Sequence, residues 1–198
     1  MNYCSKIILV LAIVAGQSLM TSCRKEIATP TPEETPLVNN TGKTSPDGSL
    51  LGYPSQSIAN GIYQLKAVHS GKAMDVDRFS MEDGTPLQQF TWNGGDNQHW
   101  QFTYLNNGYY KITAVHSGKA ITTTNVFPSE GGQIIQKEWA NLVSQWWIVN
   151  DLGNYQYSIV HALSGRSIGV AGGATWDGAK LVPQIWYSSN SQKWFIAY

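Results

Sequence analysis

Gln98-His99-Trp100, Gln145-Trp146-Trp147 and Gln192-Lys193-Trp194 stand 47 residues apart in both steps. Working outward, the same step links Tyr63, Tyr110 and Tyr157. It also links Ser70-Gly71, Ser117-Gly118 and Ser164-Gly165, each followed by a base (Lys72, Lys119, Arg166). Met74, Ile121 and Ile168 follow in register, then Asp83-Gly84, Glu130-Gly131 and Asp177-Gly178, then Trp92, Trp139 and Trp186. Self-similarity at a fixed period marks a repeat architecture in which no unit buries its apolar face alone. Three such units, counted back from Tyr198, begin at Ile58.

Each unit reads as four short strands. In the first unit these are Gly61 to Val68, Ala73 to Asp77, Thr85 to Trp92 and His99 to Leu105, separated by Ser-Gly, acid-Gly and Asn/Gly turns. No apolar period near 3.6 is sustained over a helix length, so the class is all-β. Closure of three units around a shared pseudo-threefold axis removes exposed sheet edges. Leu65, Ile112 and Ile159, with the three Gln-x-Trp tryptophans, are expected to fill the core. Three blades are too few for a propeller, and the expected fold is a β-trefoil over 58–198.

Composition narrows the function. The 198-residue chain carries 13 basic and 13 acidic residues, and only 13% of it is charged. Phosphate binding needs an excess of Lys and Arg, so nucleic acid is excluded as the main partner. Cys4 and Cys23 both precede the repeats, so the trefoil holds no disulfide and no Cys-ligated metal.

Those cysteines belong to an address segment. One basic residue in Met1 to Lys6 precedes the apolar run Ile7 to Ala15, the pattern of a signal peptide over 1–22. Its end, Met20-Thr21-Ser22-Cys23, resembles a bacterial lipobox, which implies a lipidated Cys23 as mature N-terminus and an exported protein anchored at the outer membrane or cell surface. An ordinary secretory signal with Cys23 as a stray thiol is the alternative. Residues 23–57 hold five of the eight prolines and no Trp, and read as a tether.

The threefold register with Gln-x-Trp near each unit's end resembles the ricin-type lectin family of β-trefoil carbohydrate-binding domains. The resemblance covers 58–198 and implies a non-catalytic glycan binder without a cofactor. In that family a competent unit uses an Asp after the second-strand hydrophobe, an aromatic platform in or after the third strand, and a polar residue at Gln-x-Trp. Carried onto this chain, these are Asp75, Gln88, Phe90 or Trp92, Asn97 and Gln98. A sugar has an apolar C–H face and a polar rim, which such a set satisfies together. The Asp75 position is Thr122 in the second unit and Gly169 in the third. One proper site, in the first unit, is therefore expected, although Trp139 or Trp186 leaves room for another geometry elsewhere.

What occurs three times is read as scaffold, and what occurs once as site. Gln98, Gln145 and Gln192 are thus expected mainly to tie loop backbone together, and the acid-Gly pairs to serve turns. No histidine, acidic or Cys cluster has metal-ligand spacing, and no nucleophile stands beside a base. A rival reading makes the domain an envelope protein-interaction module that docks through Trp92, Trp146 and Trp176. A separately encoded glycosidase is a further candidate partner.

Overall fold

The computed structural model describes residues 56–198; the expected signal peptide, Cys23 and nearly all of the expected tether lie outside them. Within these residues the chain forms twelve strands and five single 3-10 turns. The first unit contributes β1 (Gly61–Ala67), β2 (Ala73–Val76), β3 (Leu87–Phe90) and β4 (His99–Tyr104). The second contributes β5 (Tyr110–Ala114), β6 (Ala120–Thr123), β7 (Ile134–Lys137) and β8 (Trp147–Asp151). The third contributes β9 (Gln156–His161), β10 (Ser167–Val170), β11 (Ala179–Gln184) and β12 (Trp194–Ala197).

Antiparallel pairing runs β1–β4–β5–β8–β9–β12 and back to β1, so the outer strands of the three units close into a six-stranded barrel. The hairpins β2–β3, β6–β7 and β10–β11 form a second layer. This is a β-trefoil, and closure leaves the barrel without a free edge.

Period-two burial explains the barrel strands. Tyr63, Leu65 and Ala67 of β1 point inward between more exposed neighbours, as do Tyr110, Ile112 and Ala114 of β5. Leu65, Ile112 and Ile159 are fully buried, and so are Trp100, Trp147 and Trp194. Each indole N–H donates to a second-strand carbonyl of its own unit: Met74 at 3.1 Å, Ile121 at 2.9 Å and Ile168 at 3.1 Å. His161 stands in the register of Ala67 and Ala114. It is buried between the Val143 carbonyl and the Ser164 hydroxyl, and burial holds its imidazole below the usual range.

The units are stitched to one another by their turns. Asp83 of the first pairs with Lys119 of the second, Glu130 of the second lies 4.0 Å from Arg166 of the third, and Asp177 of the third reaches Lys72 of the first at 2.7 Å. The turn glycines beside these acids, Gly84 and Gly178, both hold φ of 83°, a conformation that favours glycine. Asp177 also accepts the Thr91 N–H at 2.7 Å, drawing Thr91 out of the β2–β3 ladder. For that reason β3 ends at Phe90, two residues before the limit expected at Trp92.

Replacing Trp147 with Ala should cost about 3–5 kcal/mol, through lost contacts and a cavity. Trp176→Ala, at a side chain 68% exposed, should stay within about 0.5 kcal/mol of wild type. Chemical denaturation of both variants checks the contrast.

Candidate functional site

Beside the β2–β3 hairpin lies a hollow of about 310 Å³. Asp75, Gln88, Phe90 and Asn97 line it, four of the six binding residues expected from sequence. Antiparallel register places Asp75 directly opposite Gln88. Asn97 and Gln98 arrive on the 3-10 turn that precedes β4.

Asp75 is only 3% exposed, and a buried carboxylate is costly unless hydrogen-bonded. Three amides supply those bonds. Gln88 Nε2 donates to Oδ1 at 2.9 Å, while Asn97 Nδ2 and Gln98 Nε2 donate to Oδ2 at 2.8 and 3.0 Å. A carboxylate offers about four acceptor positions, so one remains on Oδ1 for a hydroxyl entering the hollow. Desolvation is the largest influence on this group and raises its pKa. The amide hydrogen bonds pull the other way, and nearby Asp77 adds to the rise.

Gln98 supports the site from behind. It is fully buried, donates also to the Thr91 carbonyl at 3.0 Å, accepts from the Asn93 N–H at 2.9 Å, and does not line the hollow. Gln145 and Gln192 make matching loop ties through Ala140 N–H and Tyr187 N–H. Trp92 also lies away from the hollow, its ring centroid 5.0 Å from that of His99 and 5.2 Å from Lys66 Nζ. Had β3 continued, Trp92 would share a face with Gln88 and Phe90; the strand stops at Phe90, and Phe90 is the ring at the hollow.

Sequence reading overlooked Asp77, Arg78, Phe79 and Asn93, which complete the lining. Phe79 carries a signal that could have found it: its equivalents one and two units on are Val126 and Gly173, so it too occurs once.

The equivalent places in the other units differ. A hollow of about 200 Å³ survives in the second, but Thr122 stands in the acid's place and donates to the Ala120 carbonyl two residues back. In the third unit a Cβ built on Gly169 would lie 2.1 Å from Gln184 Oε1, so the Gln184 side chain occupies the space that the Asp75 side chain takes in the first.

Among the described residues, the first-unit hollow joins a buried carboxylate to an aromatic ring on a closed trefoil. Comparison with known proteins sharpens that class. The family model described as ricin-type beta-trefoil lectin domain-like matches residues 55–137. The designed threefold-symmetric protein ThreeFoil is 38% identical at a TM-score of 0.68, over 70% of this chain and 99% of its own. An exo-β-1,3-galactanase from Clostridium thermocellum is 28% identical at a TM-score of 0.67; the match covers 76% of this chain but only 32% of the enzyme. The Macrolepiota procera ricin B-like lectin, solved with lactose, shares the fold at 16% identity and a TM-score of 0.62, over 72% of this chain and 98% of its own. No curated protein gives a significant match. The described residues, 56–198, form a ricin-type β-trefoil lectin-like domain.

The carboxylates should titrate in a set order. Asp75 is raised chiefly by burial, whereas the Lys119 and Lys72 hydrogen bonds lower Asp83 and Asp177. A raised acid favours the folded state most at low pH, and its contribution is lost as pH rises through the folded pKa. The two lowered acids contribute above their unfolded pKa and lose that contribution as pH falls through the folded one. Carbon-detected NMR titration should find Asp75 above the ordinary aspartate range and the other two below it; the reverse order would contradict the site's electrostatics.

Proposed function

We propose that this protein is a non-catalytic glycan-binding lipoprotein that captures saccharide at the first-unit hollow. One observation carries the reading: a buried carboxylate, fixed by three amides, keeps an acceptor position at a hollow that Phe90 also lines. Hydrogen bonds to a charged acceptor are stronger than neutral ones, and they set the orientation of a sugar's hydroxyls. A ring against the C–H face supplies the apolar part of the contact. The family match adds carbohydrate binding as the property of related domains.

Held by a lipid on Cys23 and a tether over 23–57, the domain would stand off a bacterial membrane and face external glycan. A single saccharide exchanges good water hydrogen bonds for protein ones, so one site binds weakly. Many copies on one surface raise the effective affinity through multivalency.

A glycan array followed by calorimetry tests this. Wild type should bind a defined saccharide class, and Asp75→Ala should lose at least about tenfold in affinity, the worth of one charge-assisted hydrogen bond. Binding should also weaken as pH falls through the raised Asp75 pKa, because protonation removes the charged acceptor. An array flat across all saccharides, with one envelope protein captured instead, would replace this reading with a protein-docking one.

A further inference from the structure

Phe79 stands where the backbone conformation is costly for a side chain. Arg78 and Phe79 hold φ of 56° and 55°, in the left-handed region that L residues enter only at a cost. The matching pair in the third unit is Gly172-Gly173, at φ of 60° and 62°, where the same conformation carries no such cost. The first unit keeps the glycine-type turn yet fills it with an aromatic ring that remains 52% exposed. Strain retained at an exposed side chain points to use.

The second unit fixes this loop. The Ser80 carbonyl accepts from Gln136 Nε2 at 2.7 Å and from His116 Nε2 at 2.9 Å, and the His116 ring lies 4.7 Å from that of Phe79. Phe79 is thus held in place without being covered.

Register then locates it relative to the other ring. Phe90 pairs with Ala73 at one end of the β2–β3 ribbon, Asp75 pairs with Gln88 in the middle, and Phe79 follows Val76 beyond the other end. The three residue steps from Ala73 to Val76 span about 10 Å of strand, longer than one pyranose ring. Both phenylalanines line the same hollow.

We infer that the hollow has two subsites: Phe90 with Asp75 takes one sugar residue, and Phe79 carries the residue linked to it, so the site selects a disaccharide or longer chain over a monosaccharide. This rests on the glycan-binding reading above. The Arg78-Phe79 turn is the feature that sets the selection, because the third unit's glycines offer no ring.

Calorimetry with galactose against β-1,3-galactobiose, and xylose against xylobiose, tests it on wild type, Phe79→Gly and Asp75→Ala. For the bound series, wild type should prefer the disaccharide by about three- to tenfold, the worth of one added aromatic contact. Phe79→Gly should bring that ratio close to one. Thermal melting checks that this variant folds, as the glycine in the same conformation of the third unit leads one to expect. A wild-type ratio near one, or a preference that survives in Phe79→Gly, would overturn the second subsite even where Asp75→Ala abolishes binding; survival with a lowered melting temperature would assign Phe79 to packing on His116. Undiminished binding by Asp75→Ala would instead remove the underlying reading, and no binding of any of the four sugars by wild type would remove both.

Discussion

The fold depends on a buried polar constraint that recurs once per unit. Each Gln-x-Trp places an indole in the shared core and a glutamine amide behind a loop, and both are satisfied by backbone. The indole N–H reaches a second-strand carbonyl, locking the hairpin layer to the barrel. The glutamine, two residues earlier, accepts a loop N–H and donates to a loop carbonyl, as Gln98 does with Asn93 and Thr91 and Gln192 with Tyr187 and Ile185. Leaving any of these groups unpaired in the interior would cost about 1–3 kcal/mol each. The arrangement therefore selects one register for every unit, beyond what apolar packing alone would specify.

The candidate site is an adaptation of that constraint. In the second unit the glutamine's remaining N–H meets the Thr122 hydroxyl, and in the third it meets the Ser167 hydroxyl. In the first unit it meets the Asp75 carboxylate instead. One scaffold donor was thus already aimed at the position where an acid is required, and Gln88 and Asn97 add two more. A carboxylate introduced without them would be buried with Gln98 as its one amide donor among these three, which is costly in the interior. This is a physical reason why the acid is accompanied by Gln88 and Asn97, while the units that lack it carry Ile135 and Ser144 or Val182 and Ser191 at those positions.

Much of this was legible in the chain because a period is a covalent fact. The 47-residue step located the fully buried tryptophans, the Leu65, Ile112 and Ile159 layer and the first-unit acid. What escaped was set by contacts between units. Trp92 and Phe90 were equal candidates until the end of β3 was known, and that end depends on Asp177, 86 residues further along the chain. Phe79 lay in a loop whose shape comes from His116 and Gln136 of the next unit. The turn acids were legible as turn formers, but their pairing around the axis with Lys119, Arg166 and Lys72 needed the closed structure.

That same dependence between units bears on how binding is achieved. A loop ordered only by its ligand would charge the cost of ordering against affinity. Here the 77–84 segment is held before any ligand arrives, by Gln136 at the Ser80 and Glu82 carbonyls, by His116 at Ser80 and by the Gly84 N–H to the Gln136 carbonyl. The ordering entropy of the loop is thereby charged to folding, where the closed barrel and its buried tryptophans supply the compensating energy. Two strained residues, Arg78 and Phe79, are sustained on the same account. An unequal trefoil has a structural logic under the proposed function: the second unit, which carries Thr122 in place of Asp75, would contribute to recognition by holding the loop of the first.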